Sequence, residues 1–354
     1  MNSLWNWLGH MTATVVTYAQ ALLRMMDKIP VIDPLWRILV LTVVGTFFYL
    51  LWHRKRANRL AAAGSILNYL FPLSLYRHQS SKIDYFSIPV RIGFDLLLGI
   101  ALPTVTLLSV EAWLLHFFGE APFSMPDVWP IVILKFFVFF VVAEFFLYIN
   151  HYLFHKIPFL WRLHRAHHSA EVLTPLTYYR FNPVEILTST VFSGMGAGMV
   201  TGCIFYVSGM QSSTAEVATF GTITFLMYTI LEPFYHSHIW VSFGRTLNGV
   251  FLSPCMHQIH HSALLKHRDK NLGGRIALWD YLFGTLYVPE RQEEFPFGIS
   301  AEEIGANNPH KNIRAWMVEP LKSCIGMIIG VSWRRAPSNM RRRESRLGDA
   351  PSRK

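Results

Sequence analysis

Five stretches of the chain, at about 35–52, 90–118, 129–150, 185–208 and 216–235, are apolar over close to the roughly 20 residues that a helix needs to cross a bilayer. These runs constrain the fold more than any other feature. Backbone polar groups surrounded by lipid must be satisfied within the segment itself, and a helix does so. The second run is long enough to tilt, or to break near Pro103. Composition agrees: 52% of residues are hydrophobic and 15% charged, where soluble proteins carry roughly a quarter charged residues. The expected fold is all-α, a multi-span transmembrane bundle of about four to five helices with a helical cap on its cytoplasmic side.

The net charge of +10 does not point to nucleic acid. Lys and Arg gather beside apolar runs and are not interleaved with aromatics on a soluble scaffold, a pattern that suits an anionic membrane surface. HRKRANR at 53–59 and further basic residues up to Arg91 separate the first two apolar runs, whereas 119–128 and 209–215 hold no Lys or Arg. The positive-inside rule then puts 53–90, 151–184 and everything after 235 in the cytoplasm. Gly194, Gly198 and Gly202 recur at every fourth residue of the fourth run, a spacing that lets membrane helices pack closely. Cys203, Cys255 and Cys324 are too dispersed for a disulfide framework or a thiolate metal site.

Eleven of the 16 histidines fall between His151 and His267, all in segments assigned to the cytoplasm. His151 and His155 stand at i and i+4 on one helical face, a spacing that lets two imidazoles share a metal. LHRAHHS supplies His164, His167 and His168, and MHQIHHS repeats the same H-x-x-H-H pattern with His257, His260 and His261. FYHSHIW adds His236 and His238 at the end of the fifth run. Isolated histidines such as His10, His53, His78, His116 and His310 read as ordinary interfacial or packed residues. The cluster does not, because burying so many imidazoles without a ligand is costly. Eight or more imidazoles exceed one zinc site, which closes at about four ligands, and so favour a dinuclear centre. Imidazole suits Fe, Zn, Cu and Ni alike.

H-x-x-x-H, H-x-x-H-H and H-x-x-H-H, in this order and embedded in apolar spans, resemble the fatty acid hydroxylase / sterol desaturase superfamily. The resemblance continues through HHSALLKHRDKNLGGRIALWDYLFGTLYVPE and YYRFNPVE, covering roughly residues 130 to 290. The resemblance implies a non-haem di-iron centre with O2 as co-substrate, and as ligands His151, His155, His164, His167, His168, His236, His257, His260 and His261. His238 and His267 are further candidates for the metals or for the shell around them. Glu144, Asn182 and Leu272 depart from the family pattern without removing a ligand. The implied organisation is an N-terminal interfacial segment (1–34), membrane helices (35–128), the catalytic domain (129–290) and a cytoplasmic C-terminal segment with a basic, disordered tail (291–354).

A metal-bound His normally gives its other N–H to a carboxylate or carbonyl. Glu144, seven residues before His151, is the first choice, followed by Asp269, Asp280, Glu185 and Glu232, with Arg180 as a partner for Glu185 or a lipid phosphate. Asp95 pairs with Arg91. The expected reaction is O2-dependent hydroxylation of a lipid C–H bond, with desaturation on the same site as its nearest alternative. The chain carries no flavin, dinucleotide or haem motif, so electrons must come from an external ferredoxin, cytochrome or reductase, steered by a basic cytoplasmic face. A membrane zinc hydrolase is disfavoured because H-E-x-x-H is absent and histidines would be left over. A metal transporter would place its histidines within the spans.

Overall fold

The computed structural model describes residues 63–95, 101–121, 123–126, 128–210, 213–304 and 308–329, with a few positions between 39 and 46. The expected interfacial segment at 1–34, most of the first apolar run and the basic tail lie outside these residues. Among the described residues the chain is helical, with no strand and only two isolated bridges, Phe251 to Ile276 and Ser262 to Phe297.

The helices that position the site are α1 (Ala63–Leu70), α2 (Ser81–Phe94), α3 (Ala101–Phe118), α4 (Trp129–Lys156), α5 (Pro158–His168), α6 (Pro183–Val207), α7 (Thr214–Tyr235), α8 (Pro254–His260), α9 (Leu278–Leu282) and α10 (Ile313–Ile328). Of these, α4 and α6 are long and apolar enough to cross a membrane. Both leave much of their apolar flank uncovered, including Ile133 and Phe137 on α4 and Phe192 and Met199 on α6. The second apolar run is met by the end of α2 and by α3, with Pro103 in the first turn of α3.

Helix boundaries follow local chemistry. Pro158 has no N–H to donate and holds Ile157 extended (φ −90, ψ 116), so α4 stops there and α5 starts in a new direction. Asn182 caps α6 by accepting from Val184 N at 3.1 Å, with Pro183 in the first turn. Ser213 and Glu216 form a reciprocal capping box at the start of α7. Glu216 also pairs with Lys135 of α4 at 3.1 Å, which neutralises a buried ammonium between apolar helices.

The glycine spacing serves the predicted purpose. A Cβ on Gly198 would stand 2.5 Å from the Pro103 carbonyl oxygen and 2.8 Å from Thr106 Cβ, and one on Gly202 2.8 Å from the Leu107 carbonyl oxygen. The α3 and α6 backbones therefore touch directly. After α7 the chain is mostly loop, tied by side chain to backbone bonds, where a more helical cap was expected. The C-terminal segment contributes a docked helix: α10 buries Trp316 against Ile83 and Ala166, and Cys324 against Phe154 and Leu163.

Gly198→Ala is expected to destabilise the protein by about 1–3 kcal/mol through overpacking. Gly221→Ala on α7, where a Cβ meets nothing within 4 Å, should be neutral or stabilising by up to about 1 kcal/mol. Thermal unfolding in detergent checks the pair, and equal melting temperatures for both variants would refute the contact.

Candidate metal centre

Two neighbouring groups of imidazoles lie where α4, α5, α7 and α8 converge. His151, His155, His164, His168 and His260 form one, and His167, His236, His257 and His261 the other; within each group the nearest ring nitrogens all lie within 4.8 Å of one another. The groups share a wall, with the His168 and His261 rings stacked at 4.6 Å. Each H-x-x-H-H box is divided between them. His164 and His168 face the five-histidine group while His167, turned off that face of α5, joins the four-histidine group. In the third box His257 and His261 face the four-histidine group and His260 the other.

Hydrogen bonds around the rim set the tautomers. His151 Nδ1 donates to the Leu272 carbonyl (2.8 Å) and His260 Nδ1 to the Lys270 carbonyl (2.9 Å). His164 Nδ1 meets Glu185 (2.5 Å), His155 Nδ1 meets Asp269 (3.2 Å) and His236 Nδ1 meets Glu232 (3.1 Å). In the neutral form of a ring, an acceptor at Nδ1 leaves a bare lone pair at Nε2. Those lone pairs face one another: His151 and His164 Nε2 are 3.0 Å apart, and His236 Nε2 is 3.0 Å from His257 Nε2 and 3.3 Å from His167 Nε2. The Nε2 atoms of His155 and His260 are buried without any hydrogen-bond partner. Facing lone pairs repel unless an electron-pair acceptor lies among them, so the donor set fits metal cations. Burial and the neighbouring imidazoles hold His167, His168, His257, His260 and His261 well below the ordinary imidazole value of 6.5, in the neutral form that binds metal.

The supporting residues differ in part from expectation. Glu185, Glu232 and Asp269 reach histidines. Glu144 does not: it accepts from Arg275 N (2.7 Å), Ile276 N (3.1 Å) and the Tyr228 hydroxyl. Although it lies seven residues before His151, its carboxylate is taken by the backbone of the 269–277 loop. Asp280 likewise binds Leu272 N (2.7 Å), Gly273 N (2.8 Å) and Thr285 Oγ1 (2.6 Å), and acts one step removed by holding the carbonyl that orients His151. Gly273 and Gly274 permit these approaches, since a Cβ would stand 2.8 Å from Asp280 Oδ2 or 2.9 Å from Glu144 Oε1. Asp269 and Asn271 adopt positive φ (57 and 56), which Asp and Asn tolerate better than most residues.

His238 and His267 stand outside both groups. His238 Nε2 bonds the Tyr69 carbonyl (2.6 Å), and His267 is buried between Tyr287 and Phe295 with Nε2 3.3 Å from Glu293. Arg180 pairs with buried Asp84 (2.7 Å) and not with Glu185, while Arg91 and Asp95 pair as expected (2.8 Å). His310 is buried away from both groups. Three residues had no signal in the pattern of histidines. Arg275 holds Glu232 at 2.5 Å, Phe181 stacks on His167 at 4.1 Å and 11°, and Trp161 lies against His155 and His168 at 5.1 and 5.4 Å.

Residues 136–285 match the fatty acid hydroxylase family profile. The chain is 28% identical over 180 residues to the ornithine lipid hydroxylase OlsE of Rhizobium tropici, covering 50% of this chain and 49% of the relative. It is 28% identical over 197 residues to an alkylglycerol monooxygenase of Caenorhabditis elegans, covering 55% of this chain and 34% of that protein. A methylsterol monooxygenase of Aspergillus fumigatus is 24% identical over 225 residues, covering 61% of this chain and 69% of the relative. The match thus spans about half or less of the first two relatives. No solved structure matches the chain. The segment that carries the histidine boxes is thus similar to the fatty acid hydroxylase family and to named lipid hydroxylases and monooxygenases.

Two expectations follow. Glu232→Gln, which leaves His236 without its carboxylate, should weaken metal binding by about 10–100-fold, read by competition with a chelator. These five buried imidazoles, His167, His168, His257, His260 and His261, resist protonation when folded, whereas the unfolded chain takes up protons near the ordinary imidazole value of 6.5. Metal-free protein should therefore keep its full stability above that pH and lose it as pH falls below. A melting temperature that rises on acidification would contradict this.

Proposed function

We propose that the protein is a membrane-embedded, O2-dependent lipid hydroxylase whose nine clustered imidazoles hold two non-haem iron ions. The observation that carries this reading is the convergence of inward lone pairs in two adjoining groups, on a segment whose relatives are named as lipid hydroxylases and monooxygenases. When bound, a reduced iron pair supplies O2 activation: one oxygen atom enters a C–H bond, the other leaves as water, and an external donor provides two electrons. The chain's own residues hold this chemistry in place. Leu272, Lys270, Asp269, Glu185 and Glu232 orient five rings from outside, Arg275 fixes Glu232, and Phe181 clamps His167, whose Nδ1 has no acceptor. Such support keeps ligand geometry fixed through turnover.

The membrane reading has its own support. Trp113, Phe117, Phe118, Phe123 and Trp129 are exposed around the end of α3 and the start of α4. His151 lies 22 residues along α4 from Trp129, about 33 Å of helix, close to the roughly 30 Å hydrocarbon core of a bilayer. An aromatic belt at one interface thus corresponds to the histidines at the other, the face that charge assigns to the cytoplasm in a bundle of about four to five spans. A lipid enters from the bilayer, with its reacting carbon carried to the histidine level. Desaturation is the second reading, since loss of a second hydrogen needs no different ligand set.

Anaerobically purified protein should bind two iron ions per chain. His260→Ala and His167→Ala, one from each group, should each lose metal and abolish product. Lipids from cells expressing the wild type should include species heavier by one oxygen atom, and species lighter by two hydrogens would select desaturation. Stoichiometric zinc without O2 uptake would sink the oxygenase reading.

A further inference from the structure

The five-histidine group is reached by a small cleft of about 40 Å³, a narrow vestibule lined by the start of α5, by 262–269 and by 298–303. His155, His168 and His260 form its floor, Trp161 one wall, and Arg268 and Glu303 part of its rim. Trp161 is the ring between surface and ligands. It is partly exposed, lies 5.1 Å from His155 and 5.4 Å from His168, and is held by its Nε1 donating to Glu303 at 2.6 Å.

Three ion pairs at and beside this mouth share one polarity. Lys156 pairs with Asp269 (2.6 Å), Lys266 with Glu293 (2.5 Å) and Arg268 with Glu303 (3.9 Å). The cations are 40%, 54% and 56% exposed and their acids 23%, 18% and 21%. The carboxylates are tucked inward, on His155, His267 and Trp161 respectively, and the positive heads face solvent. Pairs so oriented present positive potential to an approaching molecule even though their charges sum to zero.

Resting on the oxygenase reading above, we propose that this vestibule is the docking surface for a one-electron carrier protein with an acidic face, and that Trp161 is the ring through which its electrons reach the metal pair. Each encounter oxidises one reduced carrier and passes one electron inward. Two encounters supply the two electrons of a turnover, and no bond is made or broken at Trp161. A lipid arriving from the bilayer leaves this polar opening free for the carrier.

The test uses metal-loaded, full-length protein and follows anaerobic reduction of the oxidised centre by stopped-flow absorbance, after metal content has been measured for every variant. The probes are a reduced acidic [2Fe–2S] ferredoxin and the methyl viologen radical cation. Wild type should be reduced by ferredoxin several-fold faster at about 20 mM than at about 300 mM salt, because screening removes steering. Lys266→Glu/Arg268→Glu should slow ferredoxin at least tenfold and leave methyl viologen as fast or faster. Lys266→Gln/Arg268→Gln, which adds no negative charge and so serves even where the reversal impairs metal loading, should slow ferredoxin several-fold. Trp161→Leu should slow both reductants at saturating concentration with metal content unchanged. Ferredoxin rates insensitive to salt or to the neutral double variant overturn the docking site, and unchanged limiting rates in Trp161→Leu overturn the relay. Absence of a redox-active metal in the wild type overturns the oxygenase reading instead, so the two failures are distinguishable.

Discussion

Everything in this molecule depends on how nine imidazoles are buried together and aimed inward. Water would satisfy their nitrogens and dissipate the arrangement, so the site is buried. Burial in turn disfavours the charged form of His167, His168, His257, His260 and His261 and sets ring nitrogens against one another. Part of the opposing cost is met from outside five of the rings, where a backbone carbonyl or a carboxylate accepts a hydrogen bond at Nδ1. Leu272, Lys270, Glu185, Glu232 and Asp269 do this from three separate parts of the chain. Donor geometry and global fold are thereby tied together: a shift in any of these segments turns a ring.

The loop after the third histidine box shows how far that coupling extends. Asp280 and Glu144 touch no histidine, yet both bind backbone N–H groups of 272–276, the stretch that presents the Leu272 carbonyl to His151. The paired glycines let two carboxylates approach that backbone from opposite sides, and the positive φ angles of Asp269 and Asn271 give the loop its course. Of the five acids expected to support histidines, Glu185, Glu232 and Asp269 do so, while Glu144 and Asp280 clamp the main chain instead. The same logic explains Arg275, which lies over Tyr228 and Tyr235 and fixes Glu232 on His236.

Placing this centre at one end of long apolar helices separates two kinds of traffic. The uncovered flanks of α4 and α6 are apolar, while the cleft over the five-histidine group is rimmed by charge. On the proposed reading, a hydrocarbon substrate and a water-soluble carrier would reach the same centre from different sides.

The histidine boxes, the helical spacing of His151 and His155, the glycine ladder of α6 and the apolar runs were all legible in the linear chain, because each is a local periodicity that a helix converts directly into a face. Their family relationship was legible for the same reason. Partition of the nine histidines was not. His167 and His260 leave the group of their own box for the other, and this is decided by where Pro158 turns α5 and how α8 is set beside it. Nor could spacing choose among the acids: Glu144 stood at the favourable interval from His151, but a tertiary contact with the 275–276 backbone claimed it. Sequence alone determined which side chains bear the chemistry, since their types and intervals are covalent facts. Only the tertiary structure decided which ring faces which and what holds it there, since those contacts join residues as far apart as His151 and Leu272.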